Sequence, residues 1–167
     1  PDMLLLGAGS HYRPDASGTT PGAILWLSLF RDKIDEVLEQ VKCPVAVFVN
    51  RHYREGAMIS LVLGGMIDIF LFFYLEEILV AGHSVRLFLF DTDDDRFRLK
   101  VRELMRKYPG LIFPVGFTKA DDLITEDKDG LLIMSHLSYT KLAEEEEVLS
   151  KLSSLLVIRE NKNNGNK

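Results

Sequence analysis

Ile59-Ser60-Leu61-Val62-Leu63-Gly64-Gly65 opens the stretch that decides the fold. It continues through the apolar run Ile69-Phe70-Leu71-Phe72-Phe73-Tyr74-Leu75 to Gly82, then into Val85-Arg86-Leu87-Phe88-Leu89-Phe90. A short apolar run, a glycine pair, a longer apolar stretch and a second short apolar run spell strand, turn, helix, strand. Gly82 stands where a helix ends on a left-handed residue. Both short runs are apolar on successive residues, as in strands covered on both faces of a parallel sheet.

The pattern repeats in both directions. Downstream, Asp94 to Tyr108 reads as a helix closed by Pro109-Gly110, Leu111 to Val115 as a strand, and Ala120 to Ile124 as a short helix. Leu131 to Met134 is the next strand, Tyr139 to Leu152 a helix, and Leu155 to Ile158 a closing strand. Upstream, Met3-Leu4-Leu5-Leu6 is a strand, and Ile24 to Val41 has helical spacing with Ile24, Leu27, Phe30, Ile34, Val37, Leu38 and Val41 on one stripe. Pro44 stops that helix and Val45 to Val49 is a strand. Strands alternating with helices predict an α/β fold with a parallel sheet, because parallel neighbours need crossover connections. Met3-Leu4-Leu5-Leu6-Gly7 parallels Leu131-Leu132-Ile133-Met134-Ser135, so the first unit matches the closing half of the second.

The expected organisation is a partial β-α-β unit over 1–50, a polar linker over 51–56, a complete unit over 57–160 and a disordered tail over 161–167. The chain opens at Pro1, directly before a strand, and is expected to be a piece of a longer protein.

Composition narrows the function. Of 167 residues, 47% are hydrophobic, enough for a real core. A net charge of -5, with basic residues scattered among acids, argues against nucleic acid as a partner. The longest apolar run is well short of the ~20 residues a bilayer span needs, so no direct membrane insertion of this segment is expected. A single cysteine, Cys43, excludes an internal disulfide and fits a reducing compartment. Beside Pro44-Val45-Ala46-Val47 it reads as a small buried residue opening a strand.

Ligands in open α/β sheets collect beyond the carboxyl ends of the strands. Two loops there are candidates. Gly7, Gly9 and Ser10, with Gly18, Thr19 and Thr20 entering the Ile24 helix, could cradle phosphate through backbone N–H groups. A glycine-rich turn with a Ser/Thr N-cap explains the same residues. Gly64 and Gly65 form the second candidate, and a tight strand-to-helix turn accounts for them equally. The histidines, His11, His52, His83 and His136, lack metal-ligand spacing, although His11 and His136 follow matching strands. Asp91-Thr92-Asp93-Asp94-Asp95 starts like a calcium loop, but Arg96 and Arg102 occupy its glycine and bidentate-glutamate positions. No nucleophile elbow or triad ordering is present, so neither a catalytic nor a metal site is expected, and the chain reads as a binding or regulatory module rather than an enzyme.

Asp2-Met3-Leu4-Leu5-Leu6-Gly7, the small-residue loop, the helix and Cys43-Pro44-Val45-Ala46-Val47-Phe48-Val49 together resemble the closing half of a universal stress protein. With Leu61-Val62-Leu63-Gly64-Gly65 opening the next repeat, the order is similar to the cytosolic tail of monovalent cation/proton antiporters of the cation-proton antiporter 2 family. The resemblance covers most of residues 2 to 159. It implies a universal-stress-protein-like (adenine nucleotide alpha hydrolase-like) fold, one full repeat plus the closing half of another. It also implies regulation of a parent transporter membrane domain, homodimer formation, a place on the cytoplasmic side of the cell membrane, and an adenine nucleotide as ligand. A freestanding tandem stress protein binding an adenine nucleotide is the alternative. The family's Gly-x2-Gly-x9-Gly-Ser/Thr motif is incomplete, since counting from Gly7 meets Ser10, Thr20 and Pro21. The acid that the family places after its first strand is replaced by Leu63-Gly64-Gly65. A homodimer is also expected from the strand Leu155 to Ile158, which would close the sheet and leave an edge open to pairing.

Overall fold

A computed structural model describes residues 3–8, 41, 43–90, 94–142 and 145–160. The strands are β1 (Leu4–Ala8), β2 (Val45–Val49), β3 (Ile59–Leu63), β4 (Val85–Phe90), β5 (Ile112–Phe117), β6 (Leu131–Ser135) and β7 (Ser154–Arg159). The α-helices are α1 (Leu71–Val80), α2 (Asp95–Lys107), α3 (His136–Leu142) and α4 (Glu146–Lys151), with 3-10 turns at Met66–Asp68 and Ala120–Leu123.

The seven strands among the described residues form one sheet in the order β1-β2-β7-β6-β3-β4-β5. Every pair is parallel except β2 with β7, which is antiparallel. The chain is therefore an α/β protein with a mostly parallel sheet, as its alternating pattern predicts. The five strands from β3 to β7 make one complete unit, and β1 and β2 make the closing half of another. Val47 faces Val157 across the joint, Leu6 is the partner of Val47, and Met134 is the partner of Val157. With Val47 and Val157 taken as counterparts, these pairs lay Met3-Leu4-Leu5-Leu6-Gly7 onto Leu131-Leu132-Ile133-Met134-Ser135, consistent with the sequence repeat. One step further, Ala8 rather than His11 takes the place of His136.

The core lies on both faces of the sheet. On one face Leu61, Leu63, Val85 and Leu87 meet Leu71, Leu75 and Leu79 of α1 and Phe97, Val101 and Leu104 of α2. On the other, Val62, Phe88, Leu132 and Met134 meet Ala120 and Leu123, then Leu142 of α3 and Val148, Leu149 and Leu152 near α4. Successive strand residues alternate between these two sets, as the strand period requires. Local signals set the helix ends. Gly82 at φ 84 ends α1 while the His83 N–H donates to Ile78 O. The Asp94 carboxylate caps α2 by accepting the N–H groups of Arg96 and Phe97.

Four expectations are corrected. The strand over Leu155 to Ile158 leaves no open edge, because β7 lies between β6 and β2; among the described residues the sheet's outer strands are instead β1 and β5. Tyr139 to Leu152 is not one helix. α3 starts three residues earlier, and at Glu145 the backbone leaves the helical region (φ -112, ψ 69) inside a run of four glutamates, where like charges oppose continuation. β5 extends to Phe117 and tolerates Pro114 because it is an edge strand. Cys43 is half-buried rather than buried.

The segment 51–56 joins the two units in chain order and is bonded to the second. The Ser154 hydroxyl accepts the N–H groups of Arg51, His52 and Tyr53 at 2.9, 3.2 and 3.0 Å. The Arg51 guanidinium donates to Leu149 O and Leu152 O at the end of α4, and burial lowers its pKa from the ordinary value. Among the described residues no helix is long and apolar enough to cross a membrane.

Candidate functional site

Sheet order places the crevice. β4 lies on one side of β3 and β6 on the other, and their flanking helices lie on opposite faces. The chains leaving β3 and β6 therefore diverge, and the gap between their carboxyl ends is the switch point at which α/β sheets take ligands.

The β3 side of the crevice is built by Gly64 and Gly65. Gly65 has φ 131 and ψ -159, a region open essentially to glycine alone, so the turn cannot be made by another residue without strain. Gly64 is required by proximity: a Cβ there would lie 3.1 Å from Asp68 Oδ2 and 3.5 Å from Ser138 Oγ. The turn brings the 3-10 segment Met66–Asp68 back over the strand end, and the Gly64 N–H donates to Asp68 Oδ2 at 2.6 Å. From the β6 side, the Ser138 hydroxyl donates to the same oxygen at 3.1 Å, and the Ser138 N–H donates to Ser135 Oγ at 3.1 Å. One carboxylate oxygen thus ties the two lips of the crevice together. Asp68 is fully buried, and its other oxygen, Oδ1, has no partner among the described residues.

Back-bonding from an acid four residues on is also how β5 ends. Asp122 Oδ2 accepts the Thr118 and Lys119 N–H groups at 3.0 and 3.1 Å, and these bonds hold its pKa below the usual carboxylate range. Asp122, however, is half-exposed and its bonds to Thr118 and Lys119 fall within its own turn. Asp68 shares the local device and differs in burial and in the link to another strand's loop.

Of the residues the sequence nominates, Gly64 and Gly65 line this crevice. Gly7 lies in β1, exposed and opposite Phe48, with three strands between it and β3, on the far side of the β2–β7 joint. Gly9, Ser10, Gly18, Thr19 and Thr20 lie outside the described residues, as do His11 and Asp91-Thr92-Asp93. His136 opens α3 beside the crevice. Sequence reading missed Asp68. Its signal is an acid in the middle of Met66-Ile67-Asp68-Ile69-Phe70, where a solvated charge is out of place. Among the described residues no group of acids, histidines and cysteine is arranged to hold a metal ion.

No family model matches the chain, and no curated protein matches it.

Proposed function

We propose that this chain is the cytosolic regulatory domain of a membrane monovalent cation/proton antiporter, acting on the parent transporter's membrane domain and sensing a small ligand rather than catalysing a reaction. The observation that supports it best is the antiparallel β2–β7 joint. It turns the sequence order resembling antiporter tails, a Cys43-Pro44-Val45 strand followed by a glycine-pair repeat, into two repeat units sharing one sheet. A ligand held at one unit's crevice is then connected to the other by continuous strand pairing. The homodimer in this proposal uses a surface other than β7, whose two sides are occupied.

Deleting the segment from the full transporter tests the reading. Cation/proton exchange in vesicles is expected to persist while its response to pH or ligand changes. Exchange that is identical under every condition tried would count decisively against it.

The second reading is a freestanding tandem stress protein binding an adenine nucleotide, favoured by the complete five-stranded unit with its switch-point crevice. Calorimetry with ATP and AMP separates the two. Binding lost on replacing Ser10 or Gly18 would support the second reading, and absence of binding would remove it.

A further inference from the structure

We propose that Asp68 is a built-in anion: its carboxylate fills the donor cradle of the second unit's crevice, excludes phosphate-bearing ligands from it, and reserves it for an uncharged or cationic hydrogen-bond donor. The inference deepens the ligand-sensing reading above and rests on it only for the identity of the crevice.

The donors come first. An N–H at the end of β3 and a hydroxyl from the chain leaving β6 converge on a single oxygen, at 2.6 and 3.1 Å. Backbone N–H groups and hydroxyls converging at a strand end are the means by which such crevices hold an anionic group. Here both are already used, and the occupant is part of the chain. A phosphate brought to them would meet a fully buried carboxylate, and like charges at that range repel strongly where water is excluded.

Capping alone does not account for the arrangement. Asp122 ends β5 by the same local bonds while remaining half-exposed and unlinked to another strand's loop. Asp68 carries the extra bond to Ser138, and its Oδ1 is buried without a partner among the described residues. An unpartnered carboxylate oxygen in the interior is costly and asks for a reason. Holding negative charge at the switch point supplies one, since Oδ1 is an acceptor for a donor group and a barrier to an anion.

The full chain is tested as wild type, Asp68→Ala and Asp68→Asn. Asp68→Ala removes the internal anion and leaves its donors open, so sodium formate should raise its unfolding midpoint more than sodium chloride at equal ionic strength, with no such difference in the wild type. Asp68→Asn keeps the shape without the charge and should bind inorganic pyrophosphate ~10-fold tighter than the wild type, a gain lost when Ser138→Ala is added. Formate and chloride acting alike on a folded Asp68→Ala overturns the proposal. If that variant does not fold, equal pyrophosphate affinity in Asp68→Asn and wild type overturns it. Neither result touches transport, so failure here leaves the antiporter reading to its own deletion test.

Discussion

β1–β2 and β6–β7 are two versions of one structure, and they differ in burial where their registers agree. Leu5 is 59% exposed and its counterpart Ile133 is 3% exposed, while Val47 and Val157, facing one another at the joint, are both buried. The reason is neighbours. β6 has β3 beside it, and Ile133 packs in the cluster formed with α1, whereas β1 is an edge of the sheet. An apolar strand sequence thus states what a strand can bury, and its place in the sheet states what it does bury.

That contrast can be broken most directly with charge. Ile133→Asp places an unpaired carboxylate in the core and should cost about 4 kcal/mol or more, enough to prevent folding, whereas Leu5→Asp should cost about 1 kcal/mol or less. Soluble yield and urea denaturation read both, and equal losses would mean that β1 is covered as completely as β6.

The starts of β2 and β7 differ too, with Pro44 standing where β7 has Ser154. Ser154→Ala leaves the Arg51 and His52 N–H groups without their acceptor, while the Tyr53 N–H keeps Asn50 Oδ1, and should destabilise by about 1–3 kcal/mol. A change near zero would show that the Arg51 guanidinium and the Tyr53 contacts hold this segment without the serine.

At the far ends, Gly7 and Ser135 are counterparts, and reciprocal exchange sharpens the comparison. Ser135→Gly removes the acceptor of the Ser138 N–H and should cost about 1 kcal/mol. Gly7→Ser should be within about 0.5 kcal/mol of wild type, because a Cβ at Gly7 meets nothing within 4 Å. Equal effects in the two urea midpoints would show that the serine is not positioning the loop.

The smallest expected effect is alkaline and belongs to the second unit. Burial, with the charge of Glu160, raises the pKa of Tyr74; a hydrogen bond from Lys107 to Glu76 raises that of the lysine, and Lys151 is raised by its bond to Glu147. Each raised pKa adds stability that is present below the group's ordinary value and is lost as pH rises through the raised one. Urea midpoints should therefore fall as pH rises above roughly 10, the ordinary range of these groups, modestly because exposed pairs contribute little. Glu76→Gln should flatten the lysine part of that slope, and an unchanged slope would remove Lys107 from the account.

Sequence alone determined the class of fold and most of its parts. The alternation of short apolar runs with longer stripes fixes strands and helices locally, since each depends on side-chain period and on punctuation such as Gly82, Asp94 and Pro109-Gly110. The repeat of Met3 to Gly7 at Leu131 to Ser135 was legible for the same reason, and the strand pairing is consistent with it. Tertiary structure alone decided that β7 is internal, because pairing with β2 depends on contacts across the joint that no local period encodes. It also decided the candidate site. Gly64 and Gly65 could be nominated as small residues after a strand, but the carboxylate that fills their crevice sits among Met66, Ile67, Ile69 and Phe70 and reads as an anomaly in an apolar run. Only the turn at Gly65, and a serine seventy residues away brought beside it by the order of the sheet, give that acid its place and its partners.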